Sequence, residues 1–168
     1  MRHTSRWILF LVFALLLSGC QQTVQEPPTT PTLEQNEPKL GHLAEQLLKV
    51  GKFPEMLALS SSRLSKFYDI DASLLDSFAI YVCAEAIISD EIILVRAKNE
   101  SDVKDIQKKI EKRLATQKES FDSYLPAEGE KIAQVVSHAS GRDLVYIVCA
   151  KDQIEPLSKL IEQAYQNK

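Results

Sequence analysis

FAIYVCAEAIISDEIILVRAKNESDVKDIQKKIEKRL, residues 78–114, passes from two strand-like runs to a helical pattern within one stretch of chain. Phe78 to Cys83 and Glu91 to Arg96 are short, rich in β-branched and aromatic residues, and joined through a polar connection around Ser89-Asp90, which predicts an antiparallel pair. Beyond Ser101 and Asp102, both suited to capping, Val103, Ile106, Ile110, Leu114 and Phe121 recur at steps of three, four and seven, as one core-facing helical stripe does. Pro126 or the residues just before it should stop that helix.

The same order repeats downstream. Ile132 to His138 and Asp143 to Ala150 read as a second strand pair joined through Ser140-Gly141-Arg142, whose glycine supplies the positive φ of a tight hairpin. Asp152 then opens a last helix with Ile154, Leu157, Leu160, Ile161 and Ala164 on one face. Upstream, Leu43, Leu47, Leu48 and Val50 predict a short amphipathic helix from about His42, ended by Gly51. Pro54 suits the first turn of a second helical stretch bearing Met56, Leu57, Leu64 and Phe67, with an interruption near Ser60-Ser61-Ser62. The expectation is an α+β fold of two layers: a helical lead-in, then ββα-ββα, with a four-stranded, largely antiparallel sheet and the helices on one of its faces.

Residues 1–41 belong to no such pattern. Arg2 and Arg6 precede the apolar run Trp7 to Leu17, and Ser18-Gly19-Cys20 follows, the three-part layout of an export signal. A membrane span takes roughly 20 apolar residues, more than this run supplies. Leu17-Ser18-Gly19-Cys20 resembles the lipobox of bacterial lipoproteins, which implies cleavage before Cys20 and a diacylglyceryl anchor on its sulfur, with palmitate-like chains. Each buried methylene of such an anchor contributes about 0.8 kcal/mol, so two or three chains hold a protein almost permanently. From Gln21 to Gly41, Pro27, Pro28, Pro31 and Pro38 stand among Thr, Gln and Glu with hardly a large apolar residue, the composition of a disordered tether. The expected organisation is therefore a lipoprotein signal peptide at 1–19, the lipidated Cys20 and tether at 20–41, and one α+β domain at 42–168. The expected place is the extracytoplasmic face of the cell membrane.

The chain has 168 residues and a formal charge of −3. Without a Lys/Arg stripe, such a chain is a poor ligand for nucleic acid, whose binding draws on phosphate neutralisation. Three cysteines and three histidines are too few for a disulfide scaffold or a Cys/His zinc site. No phosphate loop, dinucleotide fingerprint, HExxH, GxSxG or CxxC is present, so no catalytic set, cofactor or metal is predicted.

Phe67-Tyr68-Asp69-Ile70-Asp71, the strand opening Asp90-Glu91-Ile92 and the helix string from Glu111 to Tyr124 carry a further likeness. From about Leu64 to Ile161 the chain resembles a family of small lipoproteins from Firmicutes-type bacteria whose shared domain is classed as one of unknown function. That resemblance implies a single-membrane host and a domain facing the cell wall, and it supplies no catalytic residue, ligand or partner.

Two groups of residues invite a functional reading. Arg113, Gln117, Ser120 and Tyr124 recur at steps of three and four near one helix face, either as a binding patch or as a solvated surface, the plainer of the two. Cys83 and Cys149 end comparable strands, and would form a disulfide if their Cα atoms lay within about 7 Å; as small buried hydrophobes they need no such role. Glu85, Asp90 and Glu91 lack the loop spacing of a calcium site and read as strand-end solubilisers. The function expected is a membrane-anchored, non-catalytic binding or scaffolding domain, its partner an unknown envelope protein or ligand. The alternatives are an envelope-acting enzyme whose site is assembled from scattered residues and a thiol-disulfide protein using Cys83 and Cys149.

Overall fold

The computed structural model describes residues 39–166, so the predicted signal, Cys20 and nearly all of the tether lie outside the described residues. Chain order is α1 (Leu40–Val50), β1 (Met56–Ala58), α2 (Ser61–Tyr68), β2 (Leu75–Cys83), β3 (Glu91–Ala97), α3 (Val103–Tyr124), α4 (Pro126–Ala133), β4 (Val136–Ser140), β5 (Asp143–Val148) and α5 (Ile154–Gln166). The strands form one sheet in the order β1-β2-β3-β5-β4, every neighbouring pair antiparallel. The class is α+β, as the sequence implies.

The sheet has five strands rather than four. Met56 and Leu57, expected on a helix, pair with Cys83 and Val82 as the edge strand β1, and helix begins only at Ser61. Pro54 biases the chain before it toward extended backbone, and the serines then supply the start of α2. Ile132 and Ala133, expected on a strand, close α4 instead, because Pro126 both ends α3 and opens a new helix at its first turn. Gly129 of α4 sits where an added Cβ would lie 2.0 Å from Asp122 Oδ1 of α3, so the corner between the two helices is tight. At the amino end, Leu40 is already helical and buried, so the helix starts ahead of His42.

The helices cover both faces of the sheet, not one. Ile93 and Val95 of β3 with Leu144, Tyr146 and Val148 of β5 pack among Ile106, Ile110 and Leu114 of α3. Ile92, Leu94, Val145 and Ile147 point the other way, against Leu43 and Leu47 of α1 and Leu157 and Ile161 of α5. Strands β3 and β5 are consequently buried at almost every position. Alternating polar residues, which a one-sided sheet requires, are missing from both runs. Each fully buried Leu or Ile contributes about 1.5–3 kcal/mol, so both layers matter to stability.

Two polar devices fix elements around this double core. On the α5 face, Arg96 grips Asp143 through Nε–Oδ1 at 2.6 Å and Nη2–Oδ2 at 2.8 Å, and Tyr165 Oη donates to Asp143 Oδ2 at 3.0 Å. On the α3 side, the loop between β2 and β3 is clamped to α4. Ser89 donates its N–H and Oγ–H to Glu128 Oε2, both at 2.8 Å, and Lys131 Nζ donates to Asp90 Oδ2 at 2.7 Å.

Candidate functional site

Sheet register places Leu57, Val82, Glu91 and Val148 side by side across four strands. Residues paired this way share a face, and Ile93 and Val95, in phase with Glu91, fix it as the face under α3. Glu91 therefore puts a carboxyl in an apolar row at only 1% exposure. Far from solubilising a strand end, it is the most buried acid of that region, and Asp90 beside it is only 6% exposed.

Its neighbours come from two helices. Tyr68 is the last residue of α2; Asp69 turns the chain out of the helix at φ 57, leaving the Tyr68 ring in the core at 1% exposure. Tyr68 Oη donates to Glu91 Oε1. From α3, Arg113 Nη2 stands 3.9 Å from the same oxygen, and its guanidinium lies over the Phe67 and Tyr68 rings at 5.6 and 5.8 Å from their centroids. Burial pushes the Glu91 carboxyl above its ordinary range, although Arg113 and the Tyr68 hydroxyl pull the other way. Burial and then the Glu91 charge hold the Tyr68 phenol well above its usual value, so Tyr68 remains a donor.

Where α3 passes over the ends of β2 and β3, the layers part to leave a cleft of about 510 Å³. Leu57, Phe67, Val82, Ile88, Phe121 and Tyr124 line it with apolar surface, while Glu91, Arg113 and Gln117 bring polar groups into it. Among the described residues, four buried side-chain polar atoms have no hydrogen-bond partner, and three of them are Glu91 Oε2, Arg113 Nε and Gln117 Oε1. The fourth, His138 Nε2, belongs to β4 beside Tyr165, with the rings 4.5 Å apart. Two exposed large apolar residues stand at the mouth of the cleft, Leu57 at 46% and Tyr124 at 54% exposure. A shallower hollow of about 260 Å³ adjoins it beyond Arg113, bordered by Lys66, Lys109 and Lys112.

The structure brings Arg113, Gln117, Ser120 and Tyr124 together along this cleft. A freely solvated helix face does not describe Arg113 or Gln117, each of which has a polar atom cut off from water. The disulfide does not form. Both thiols are free, and β3 runs between the strands that carry them, so their Cα atoms are about two strand spacings, roughly 9.5 Å, apart. Burial, with the nearby charges of Asp90 and Asp152, pushes the Cys149 thiol up to about 11, which leaves it a poor nucleophile. His42 is exposed on α1, and no three metal-ligating side chains gather among the described residues. Sequence reasoning missed Tyr68 and the burial of Glu91; the signal available was the phase of Glu91 with Ile93 and Val95.

Fold and cleft together define an α+β domain with a cleft between a helix and one end of its antiparallel sheet. The chain belongs to the family described as Domain of unknown function (DUF4358), whose model matches residues 49–149 and so spans β1 to β5 and the whole cleft. No curated protein and no solved structure matches it.

Proposed function

We propose that the protein is a lipid-anchored binding module on the outer face of a bacterial membrane, and that the cleft between α3 and the β2–β3 end of the sheet is where it binds. The observation that carries the reading is the gathering of Glu91 Oε2, Arg113 Nε and Gln117 Oε1 without partners in one cleft lined by both apolar and polar side chains. A buried polar atom left unpaired costs about 1–3 kcal/mol, so three of them beside one cleft call for partners that a bound molecule can supply. The export signal and the Leu17-Ser18-Gly19-Cys20 sequence support the anchor, and residues 21–41 support a tether that raises local concentration without dictating orientation.

Glu91 also favours a second reading, an envelope-acting enzyme, because a cleft carboxyl with a raised pKa is what a general acid requires. Binding is preferred. Glu91 already takes the Tyr68 hydroxyl and faces Arg113, and Asp90, the other buried carboxylate of the cleft, is held by Lys131 at 2.7 Å.

A photo-crosslinking amino acid at position 124, in cells of the native host, tests the reading. Irradiation should yield a discrete adduct that Gln117→Leu suppresses and that a crosslinker at Glu162, on the exposed side of α5, does not give. Equal labelling from both positions would refute the cleft as the binding site.

A further inference from the structure

We propose that the cleft receives an extended, uncharged, apolar peptide segment, a ligand class whose assignment rests on the cleft being the binding site. Three features of the site point there.

The first is hydrogen-bonding complementarity. Glu91 Oε2 and Gln117 Oε1 are acceptors and Arg113 Nε is a donor. Two successive peptide units offer two N–H groups and two carbonyls, enough to answer all three atoms. The second is charge. Glu91 and Arg113 face each other at 3.9 Å and largely cancel, so the floor offers no net charge for an ion to neutralise.

The third is the wall. Val82 and Phe121 line the interior, and two of the four exposed large apolar residues among the described ones, Leu57 and Tyr124, stand at its mouth. Leu57 belongs to β1, the edge of the sheet. Leu59 N–H bonds to Ile80 O and Ala84 N–H to Glu55 O, so odd-numbered residues face β2, and the main-chain groups of Met56 and Ala58 alternate outward. An extended chain entering past Leu57 thus meets a strand edge able to register it, as in peptide recognition by strand addition.

The test uses the full chain in detergent, with labelled methyl groups read by NMR. Four probes are titrated: acetyl-Ala-Leu-Ala-methylamide, free Ala-Leu-Ala, an ester analogue of the capped peptide in which oxygen replaces the leucine N–H, and N,N′-diacetylchitobiose. The capped peptide should shift the Leu57, Val82 and Ile88 methyls and leave Leu157 and Ile161 of the opposite face unmoved. The ester should bind about tenfold more weakly, the loss of one hydrogen bond to a buried or charged acceptor. Gln117→Leu, which removes an orphaned acceptor and so leaves the fold intact, should narrow that preference for amide over ester.

Equal binding of peptide and ester to the wild-type chain overturns the hydrogen-bonding argument and with it the proposal. Tighter binding of free Ala-Leu-Ala overturns the uncharged segment in favour of free peptides with charged ends. Cleft shifts with the disaccharide alone replace the peptide by a glycan and leave the binding cleft standing. Silence of all three cleft methyls with every probe removes the peptide and counts against the cleft itself.

Discussion

Glu91 and Glu128 are carboxylates within one corner of the fold whose titrations pull stability in opposite directions. Burial raises the Glu91 pKa from the ordinary 4.5, so the folded chain holds that proton more tightly than the unfolded one. Its contribution is fully present below 4.5 and is lost as pH rises through the elevated value. At Glu128 burial acts in the same sense but is outweighed by the Ser89 N–H, Lys131 and the Ser89 hydroxyl, which leave its pKa below 4.5. Glu128 therefore stabilises the fold above 4.5 and ceases to as pH falls through its lowered value. Replacing Glu91→Gln keeps an acceptor for Tyr68 while removing the charge. The gap in urea midpoint between variant and wild type should move in the variant's favour from pH 4 to pH 8, with an unchanged slope; a gap independent of pH would show that Glu91 does not titrate in that range. Tyr68, whose phenol burial pushes well up, keeps its proton throughout and adds nothing to the profile.

Among the elements, the β4–β5 hairpin and the β2–β3 loop do different work. Gly141 has φ 56 in the two-residue link between Ser140 and Asp143, and Arg142 is not among the residues of positive φ, so the turn is of type II′. A Cβ at Gly141 would meet nothing within 4 Å. Gly141→Ala should therefore lower stability by about 1–2 kcal/mol through backbone conformation alone, measured by denaturant titration. The β2–β3 loop depends on the clamp to α4, in which Glu128 receives both Ser89 donors. Glu128→Ala should speed hydrogen exchange at the Ser89 amide while exchange in β5 stays at the wild-type rate. Slow exchange retained at Ser89 would mean that Lys131 and Asp90 suffice. Hairpin and long helix were readable because turn chemistry and a five-turn stripe are local signals. Strand β1 was not, since three residues carry no period and Met56 to Ala58 become a strand only by pairing with β2.

For the whole molecule, the proposed anchor and the folded domain are separable in sequence. The domain among residues 39–166 holds no helix long and apolar enough to cross a membrane, so membrane attachment in the proposed reading falls to Cys20. Cys20→Ala should leave a full-length precursor that takes up no labelled palmitate, and labelling equal to wild type would refute the anchor. The cleft draws on residues far apart in the chain: its floor comes from three strands, its wall from α3 and α2, and its lip from a loop held by α4.

Neighbours along the chain were enough to make part of this architecture legible in the amino-acid order. Period, turn residues and composition set the α+β domain apart from residues 1–41, place α3 and α5, and put Arg113, Gln117, Ser120 and Tyr124 near one helix face. Neighbours across space settled the rest. Continuous apolar runs in β3 and β5 are compatible with either face being covered first, and only the packing of α1 and α5 opposite α3 shows both faces filled. Glu91 looks like any acid at the start of a strand until sheet register sets it beside Val82 and Val148 and two helices deliver Tyr68 and Arg113 to it. Cys83 and Cys149, alike as letters, are kept apart by the strand between them. A carboxyl's environment and a thiol's reach are set by distances that sequence spacing does not contain.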